Sequence, residues 1–265
     1  MIRVAPLRQG GLRGVAATRP LRGSAVLVAV SVLLVLPVVG CGSARRPAAK
    51  QQSASSRPAT TERRPVHESI VATARTRRVD VYRSASSSTP FLRLASPTAS
   101  GAPLVFLVRR RVGGRDQVYL PVRPNESTGW VNDRNVVLAR NPYSLQVRLQ
   151  AHQLVLRKQS RVLARIPAAV GRSVLPTPTG LYYIVELLRQ PNPRGPYGPY
   201  AFGLSAHSNV LYSFGGGPGQ IGIHGTDVAS SIGRSASHGC IRISNAAIIR
   251  LATELPLGTP VRIGD

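Results

Sequence analysis

Cysteine is nearly absent from this chain: 265 residues hold two, Cys41 and Cys240. A stapled secreted domain carries an even set of cysteines spread through its folded part. Cys41 closes an apolar run expected to be processed, so a disulfide framework is excluded and each cysteine needs its own explanation. Acidic residues are scarce as well. Ten stand against 35 basic ones, nearly all arginine, for a formal charge of +25. Such a field favours polyanionic surroundings. The arginines are scattered, however, with neither the aromatic-interleaved stripe nor the groove-entering basic helix of a nucleic-acid reader. Nucleic acid is therefore not an expected partner. A membrane-spanning run is also lacking, because about 20 apolar residues are needed, whereas Ala25 to Val39 is shorter and carries Pro37 near its end.

What is present divides the chain into four stretches. The length exceeds the usual single domain of about 100–150 residues, which suggests two modest domains with non-globular ends. Arg3, Arg8, Arg13, Arg19 and Arg22 precede the apolar run, and no acidic residue occurs before Cys41. A positive region followed by an apolar one is the pattern of an export signal, expected over residues 1–40. The run ends Val38-Val39-Gly40-Cys41, which resembles the lipobox of bacterial lipoproteins, with Val where Leu is usual. That resemblance implies lipidation of Cys41 and attachment to a membrane through a lipid anchor. Plain secretion and an uncleaved anchor are the alternatives. A single lipid signal anchors only marginally, and a basic surface would reinforce it.

Residues 41–66 are rich in Ser, Ala, Gln, Arg, Thr and Pro with almost no large apolar side chain. They cannot bury enough surface to offset their ordering entropy and read as a disordered linker. Residues 67–141 turn to short β-type runs: Val79 to Tyr82, Phe91 to Leu94, Leu104 to Val108, Gln117 to Val122 and Gly129 to Val131. Gly113-Gly114 between two of them suits a hairpin turn. The stretch Leu120 to Val131 resembles the end of the SH3-like β modules that precede the catalytic domain in some exported wall enzymes. Trp130, the only tryptophan, is expected to plug the core of this small module. Asn125-Glu126-Ser127 matches a glycosylation sequon, a match too short to carry weight.

From residue 142 to 265 the alternation is clear: Leu145, Val147 and Leu149, then Leu154 and Leu156, then Val162, Ala164 and Ile166. Leu181 to Leu188 follows a turn-rich entry as another strand. The Pro/Gly loop from Arg189 to Tyr200, with Tyr197 and Tyr200, suits a lid over a site, and an ordinary surface excursion suits it equally. Ser244 is placed to cap a helix running to about Leu255, and Thr259 to Ile263 would be the last strand. His67, His152 and His207 lack a partner pattern and are expected on the surface.

The chemistry gathers in the last sixty residues. A thiol with a free pKa near 8.5 needs help to ionise at neutral pH. His238 stands two residues before Cys240, about 6.5–7 Å away on an extended strand and too far for direct proton transfer. His224 can be brought opposite Cys240 by an adjacent strand. Gly239 permits a tight turn aiming amides at a developing oxyanion, and Arg242 suits a substrate carboxylate.

His224-Gly225, the sixteen-residue interval to Cys240, and Ser237-His238-Gly239-Cys240-Ile241-Arg242 followed by Asn245 resemble the signature of the L,D-transpeptidase catalytic domain (YkuD-type). The resemblance covers roughly Pro142 to Asp265. It implies a mainly β protein: an SH3-like module, then a β-sandwich-like catalytic domain with a short C-terminal helix. It also implies a cysteine acyltransferase acting on peptidoglycan stem peptides, with no cofactor and no metal. Cys240 would attack between the third and fourth residues of a stem tetrapeptide, releasing D-alanine, and an acceptor amine would take the acyl group to form a cross-link. By the same resemblance His224 is base and then acid, and the Gly225 region orients its ring. His238, Gly239 and Cys240 form the oxyanion turn, while Ser237 and Arg242 line the site. Gly225 stands where some relatives have Ser, a mild departure, since the orienting group is main chain. The expected location is the outer face of the cytoplasmic membrane, or the periplasm and wall.

Four alternatives compete. Water as acceptor would make the protein an L,D-carboxypeptidase. A zinc hydrolase using His224, His238 and Cys240 is disfavoured by the lack of a nearby carboxylate base and of zinc-type spacings. A non-catalytic wall-binding lipoprotein is disfavoured by the intact Cys240 and His224. Sortase-type chemistry is disfavoured by the short His-to-Cys interval.

Overall fold

The structure is a computed structural model that describes residues 68–265. The expected export signal, Cys41, the linker and His67 lie outside the described residues. Among those described, no helix is long and apolar enough to cross a membrane.

Seven strands form from the first stretch: β1 (Ser69–Ala74), β2 (Arg78–Val81), β3 (Leu92–Ala95), β4 (Val105–Val112), β5 (Arg115–Tyr119), β6 (Thr128–Asn132) and β7 (Val136–Asn141). Five make one sheet in the order β6-β5-β4-β1-β7, and β2 pairs with β3. Alternate residues of a strand face opposite ways, so Val79 and Val81 of β2 join Ala72, Phe106, Val118 and Val131 in a small core. Trp130 is buried, with the Arg110 guanidinium 4.9 Å from its ring centre. The β4–β5 turn falls at Gly113-Gly114, where both glycines have positive φ.

Ten further strands follow: β8 (Tyr143–Arg148), β9 (Gln153–Lys158), β10 (Arg161–Pro167), β11 (Val170–Gly171), β12 (Gly180–Arg189), β13 (Tyr200–His207), β14 (Gln220–His224), β15 (Ser235–Ser237), β16 (Ile241–Arg242) and β17 (Pro260–Gly264). Eight assemble as β10-β9-β8-β17-β12-β13-β14-β16, with β11 and β15 paired apart. The one α-helix among the described residues, α1 (Asn245–Glu254), follows β16, and Ser244 Oγ caps it by accepting from the Ala247 amide at 3.2 Å. Such a cap is worth about 1 kcal/mol. Ile248 and Leu251 turn inward and join Leu204, Ile223, Ile241 and Ile243 in the larger core. The architecture is mainly β, with a single short C-terminal helix.

The two sheets are in contact. Val71, Val105 and Leu107 of the first close over Tyr183 of β12, which is fully buried. The Tyr183 hydroxyl donates to the Tyr119 carbonyl at 3.0 Å, and Asn141 Nδ2 donates to Thr259 Oγ1 at the same distance.

Candidate active site

Strands β14 and β16 run parallel with Ile223 opposite Ile241 and His224 opposite Arg242. Cys240, one residue before β16, therefore comes beside Gly222, whose amide points at its sulfur at 3.4 Å. A cavity of about 210 Å³ is lined by Pro196, Tyr197, Phe214, His224, His238, Cys240 and Arg242. A smaller one, about 20 Å³, also reaches Cys240 and shares Phe214 and His238. A larger hollow of about 550 Å³ lies elsewhere, bordered by Arg189, Pro191 and Ile249 among others. It holds neither nucleophile nor base, so chemistry and not volume selects the site.

His224 is buried, and its Nδ1 lies 2.6 Å from the Gly225 carbonyl oxygen. A carbonyl only accepts, so Nδ1 carries the proton and Nε2 is left as the basic nitrogen. The rings of Tyr197 and His224 pack in an edge-type arrangement, inclined at 61° with centroids 4.8 Å apart. Burial pushes the His224 pKa down to about 4; the Gly225 hydrogen bond opposes this and the Arg242 charge adds to it. Burial also raises the Cys240 pKa, against opposing effects of the Gly222 amide and Arg242. Desolvation thus favours a neutral thiol beside a neutral imidazole at rest. The sequence suggests only that an adjacent imidazole helps the thiol ionise; burial of both groups opposes charge separation.

The turn before Cys240 is held from several sides. Ser237 Oγ donates to the Cys240 carbonyl at 2.6 Å and accepts from the Gly239 amide at 3.0 Å. Ser237 has no exposed surface. It shapes the turn and does not face the cavity, contrary to its expected place among substrate-lining residues, because a side chain this short is consumed by its own turn. Gly239 has φ +120°, a conformation for glycine, and an added Cβ would come to 3.0 Å from Ile221 Cδ1. Thr177 Oγ1 donates to the Gly239 carbonyl and accepts from the Gly171 amide, both at 2.8 Å. His238 is exposed and stacks on Phe214 at 5.5 Å. Arg242 Nε is buried without a partner among the described residues.

Asn245, at the start of α1, accepts from the Thr226 amide at 2.9 Å through Oδ1. The same oxygen fills the space that a Cβ on Gly225 would need, and a Cβ on Gly198 would reach Gly225 Cα at 2.6 Å. The Arg189–Tyr200 loop thus packs through Gly198 onto the backbone that follows His224.

His207, expected on the surface, is buried at the end of β13, where burial and the nearby Arg123 lower its pKa. His152 bonds Ser235 Oγ at 3.0 Å. Asn125, the sequon asparagine, makes a two-way bridge to His207: Nδ2 donates to the His207 carbonyl at 2.7 Å and Oδ1 accepts its amide at 2.8 Å. Thr177, Asn125 and Arg123 are not signalled by sequence, since each bonds distant backbone.

Residues 142–263 match the YkuD family model, the L,D-transpeptidase catalytic domain. Two curated relatives named "Putative L,D-transpeptidase YkuD" are similar over 122 residues, 46% of this chain: that of Bacillus subtilis strain 168 at 41% identity and that of Bacillus licheniformis at 40%. The chain spans 66% of the length of each. Among solved structures, an L,D-transpeptidase from Mycobacterium smegmatis aligns at TM-score 0.38 and 16% identity, covering 61% of this chain and 91% of that one. Residues 142–263 of this chain are thus similar to the L,D-transpeptidase catalytic domain family, over a match that takes in 46% of the chain.

Proposed function

We propose that the protein is a peptidoglycan L,D-transpeptidase in which Cys240 is the nucleophile and His224 the general base and acid. The observation carrying this reading is that Cys240 and His224 line one cavity from adjacent strands while Nδ1 of the imidazole is committed to the Gly225 carbonyl. That leaves Nε2 for the thiol proton. As Sγ bonds to the carbonyl carbon between the third and fourth stem residues, its proton passes to Nε2. The C–N bond to D-alanine then breaks, and the imidazolium returns the proton to the leaving amine. An amine from a neighbouring stem attacks the thioester, loses a proton to Nε2, and expels the Cys240 thiolate, which takes that proton back from the imidazolium. Proton transfer with attack fits a resting pair that burial keeps neutral.

The Gly239 amide is taken by Ser237, so the turn's donors for the oxyanion are the amides of His238 and Cys240. The unpartnered Arg242 Nε suits the D-alanine carboxylate. The first sheet is read as an SH3-like module, and the N-terminal pattern as export with a lipid anchor at Cys41, which would hold the domain at the outer membrane face or in the wall. Intact mass spectrometry with a stem tetrapeptide tests the assignment. Acyl adduct is expected on the native chain and none on Cys240→Ala; undiminished acylation of that variant would refute it. Product analysis separates cross-linking from hydrolysis.

A further inference from the structure

The stretch Arg123 to Glu126, between β5 and β6 of the first sheet, reaches into the catalytic sheet through three polar anchors. Arg123 Nη1 donates to the Ser208 carbonyl at 2.7 Å, and Nη2 donates to the Leu211 and Pro218 carbonyls at 3.1 Å each. Tyr212 lies with its ring centre 4.7 Å from the guanidinium carbon. Asn125 bridges His207 as described, and Glu126 Oε1 accepts from the Leu181 amide at 3.0 Å. All the Arg123 acceptors belong to one excursion, residues 208–219, between β13 and β14. Its ends are tied by the Ser208 amide to the Gly219 carbonyl at 2.8 Å.

That excursion is a wall of the site. It carries Phe214, which borders both cavities at Cys240 and stacks on His238. Between Leu211 and Pro218 it has three glycines and the exposed Tyr212 and Phe214, so little burial fixes its shape. A planar guanidinium is suited to fixing three carbonyls at once, because its donors are spread in a rigid fork.

We infer that Arg123 is a positioning residue for donor binding: the first sheet, through this fork, sets the loop that holds Phe214 against the thiol. The inference rests on the reading of Cys240 as the acyl-transfer nucleophile. A lysine's three donors radiate from a single nitrogen and do not reproduce the planar spread of the guanidinium fork, so charge alone does not replace it. Because Arg123 touches neither Cys240 nor His224, its loss is felt in how substrate is received and not in thiol reactivity.

The full chain and its Arg123→Ala, Arg123→Lys, Phe214→Ala and double Arg123→Ala/Phe214→Ala variants test this with three measurements. These are steady-state kinetics with a stem tetrapeptide, iodoacetamide alkylation of Cys240 followed by peptide mass, and amide hydrogen exchange. Arg123→Ala is expected to raise KM for the donor at least tenfold with kcat and the alkylation rate within threefold of native. Exchange should rise across 209–217 and stay native in α1. Arg123→Lys should recover only part of the loss, and the double variant should be no worse than the poorer single one, as coupled residues require. Native KM and native exchange in Arg123→Ala would overturn the inference, as would full recovery by lysine or additive losses in the double variant. Should Arg123→Ala fail to fold, the lysine variant decides by the same exchange and KM readings. If the native chain never acylates, the function reading fails and exchange in 209–217 still decides whether Arg123 positions the loop.

Discussion

At the scale of single residues, the site pairs two groups that burial drives toward neutrality, and this has a kinetic signature. Cys240 has its pKa raised and His224 has its pKa lowered to about 4. Iodoacetamide consumes thiolate, so the Cys240 alkylation rate should climb about tenfold per pH unit from pH 6 to 8 without a plateau. A plateau near neutrality would reveal a thiolate–imidazolium pair and overturn this electrostatic account. Acylation by a donor needs neutral imidazole and should hold through neutral pH, then fall as pH drops toward 4. Stability follows the same group. The folded pKa of His224 lies below its unfolded value near 6.5, so the unfolded chain binds the proton first and stability rises with pH between those values. The contribution is complete above about 6.5 and lost as pH falls to about 4, with a ceiling of about 3 kcal/mol. Denaturant titrations of the native chain and His224→Gln at pH 7 and 4.5 check the sign: the variant should lose less stability on acidification.

At the scale of elements, the close contact of β14, the Arg189–Tyr200 loop and the start of α1 decides what position 225 tolerates. A side chain there runs into Asn245 Oδ1 and lies 3.0 Å from Gly198 Cα. Gly225→Ser should therefore lower the melting temperature by several degrees and slow acylation, and Asn245→Ala in the same chain should recover part of the stability by opening the space. Thermal melts of the single and double variants measure it, and a neutral Gly225→Ser would show that the elements part easily. These elements were legible to different degrees. Helix α1 announces itself by a cap at Ser244 and inward Ile248 and Leu251, and the strands by their alternation, because both signals are local. The motif around Cys240 is equally local. The ties of Arg123 and Asn125 are not, since their acceptors lie 82 to 95 residues away. Nor was the burial of His207 legible, because it depends on that same distant stretch.

At the scale of the molecule, the question is whether the two sheets unfold together. Val71, Val105 and Leu107 cover Tyr183, and the polar ties at Tyr119, Asn141, Arg123, Asn125 and Glu126 surround that apolar contact. Separating the sheets would uncover a fully buried tyrosine and leave Asn141, now buried, to find water. The Asn141 amide would exchange its hydrogen bond for one to water at small net cost, so the apolar burial over Tyr183 is what couples the sheets, and cooperative unfolding is expected. The chain supplies a reporter in each sheet. Trp130, its only tryptophan, reports the first, and the partly buried thiol of Cys240 reports the second. In denaturant, tryptophan fluorescence and pulse alkylation of Cys240 should trace coincident transitions. A tryptophan transition well before thiol exposure would mean the first sheet comes away alone, and the contact over Tyr183 would then be too weak to couple them.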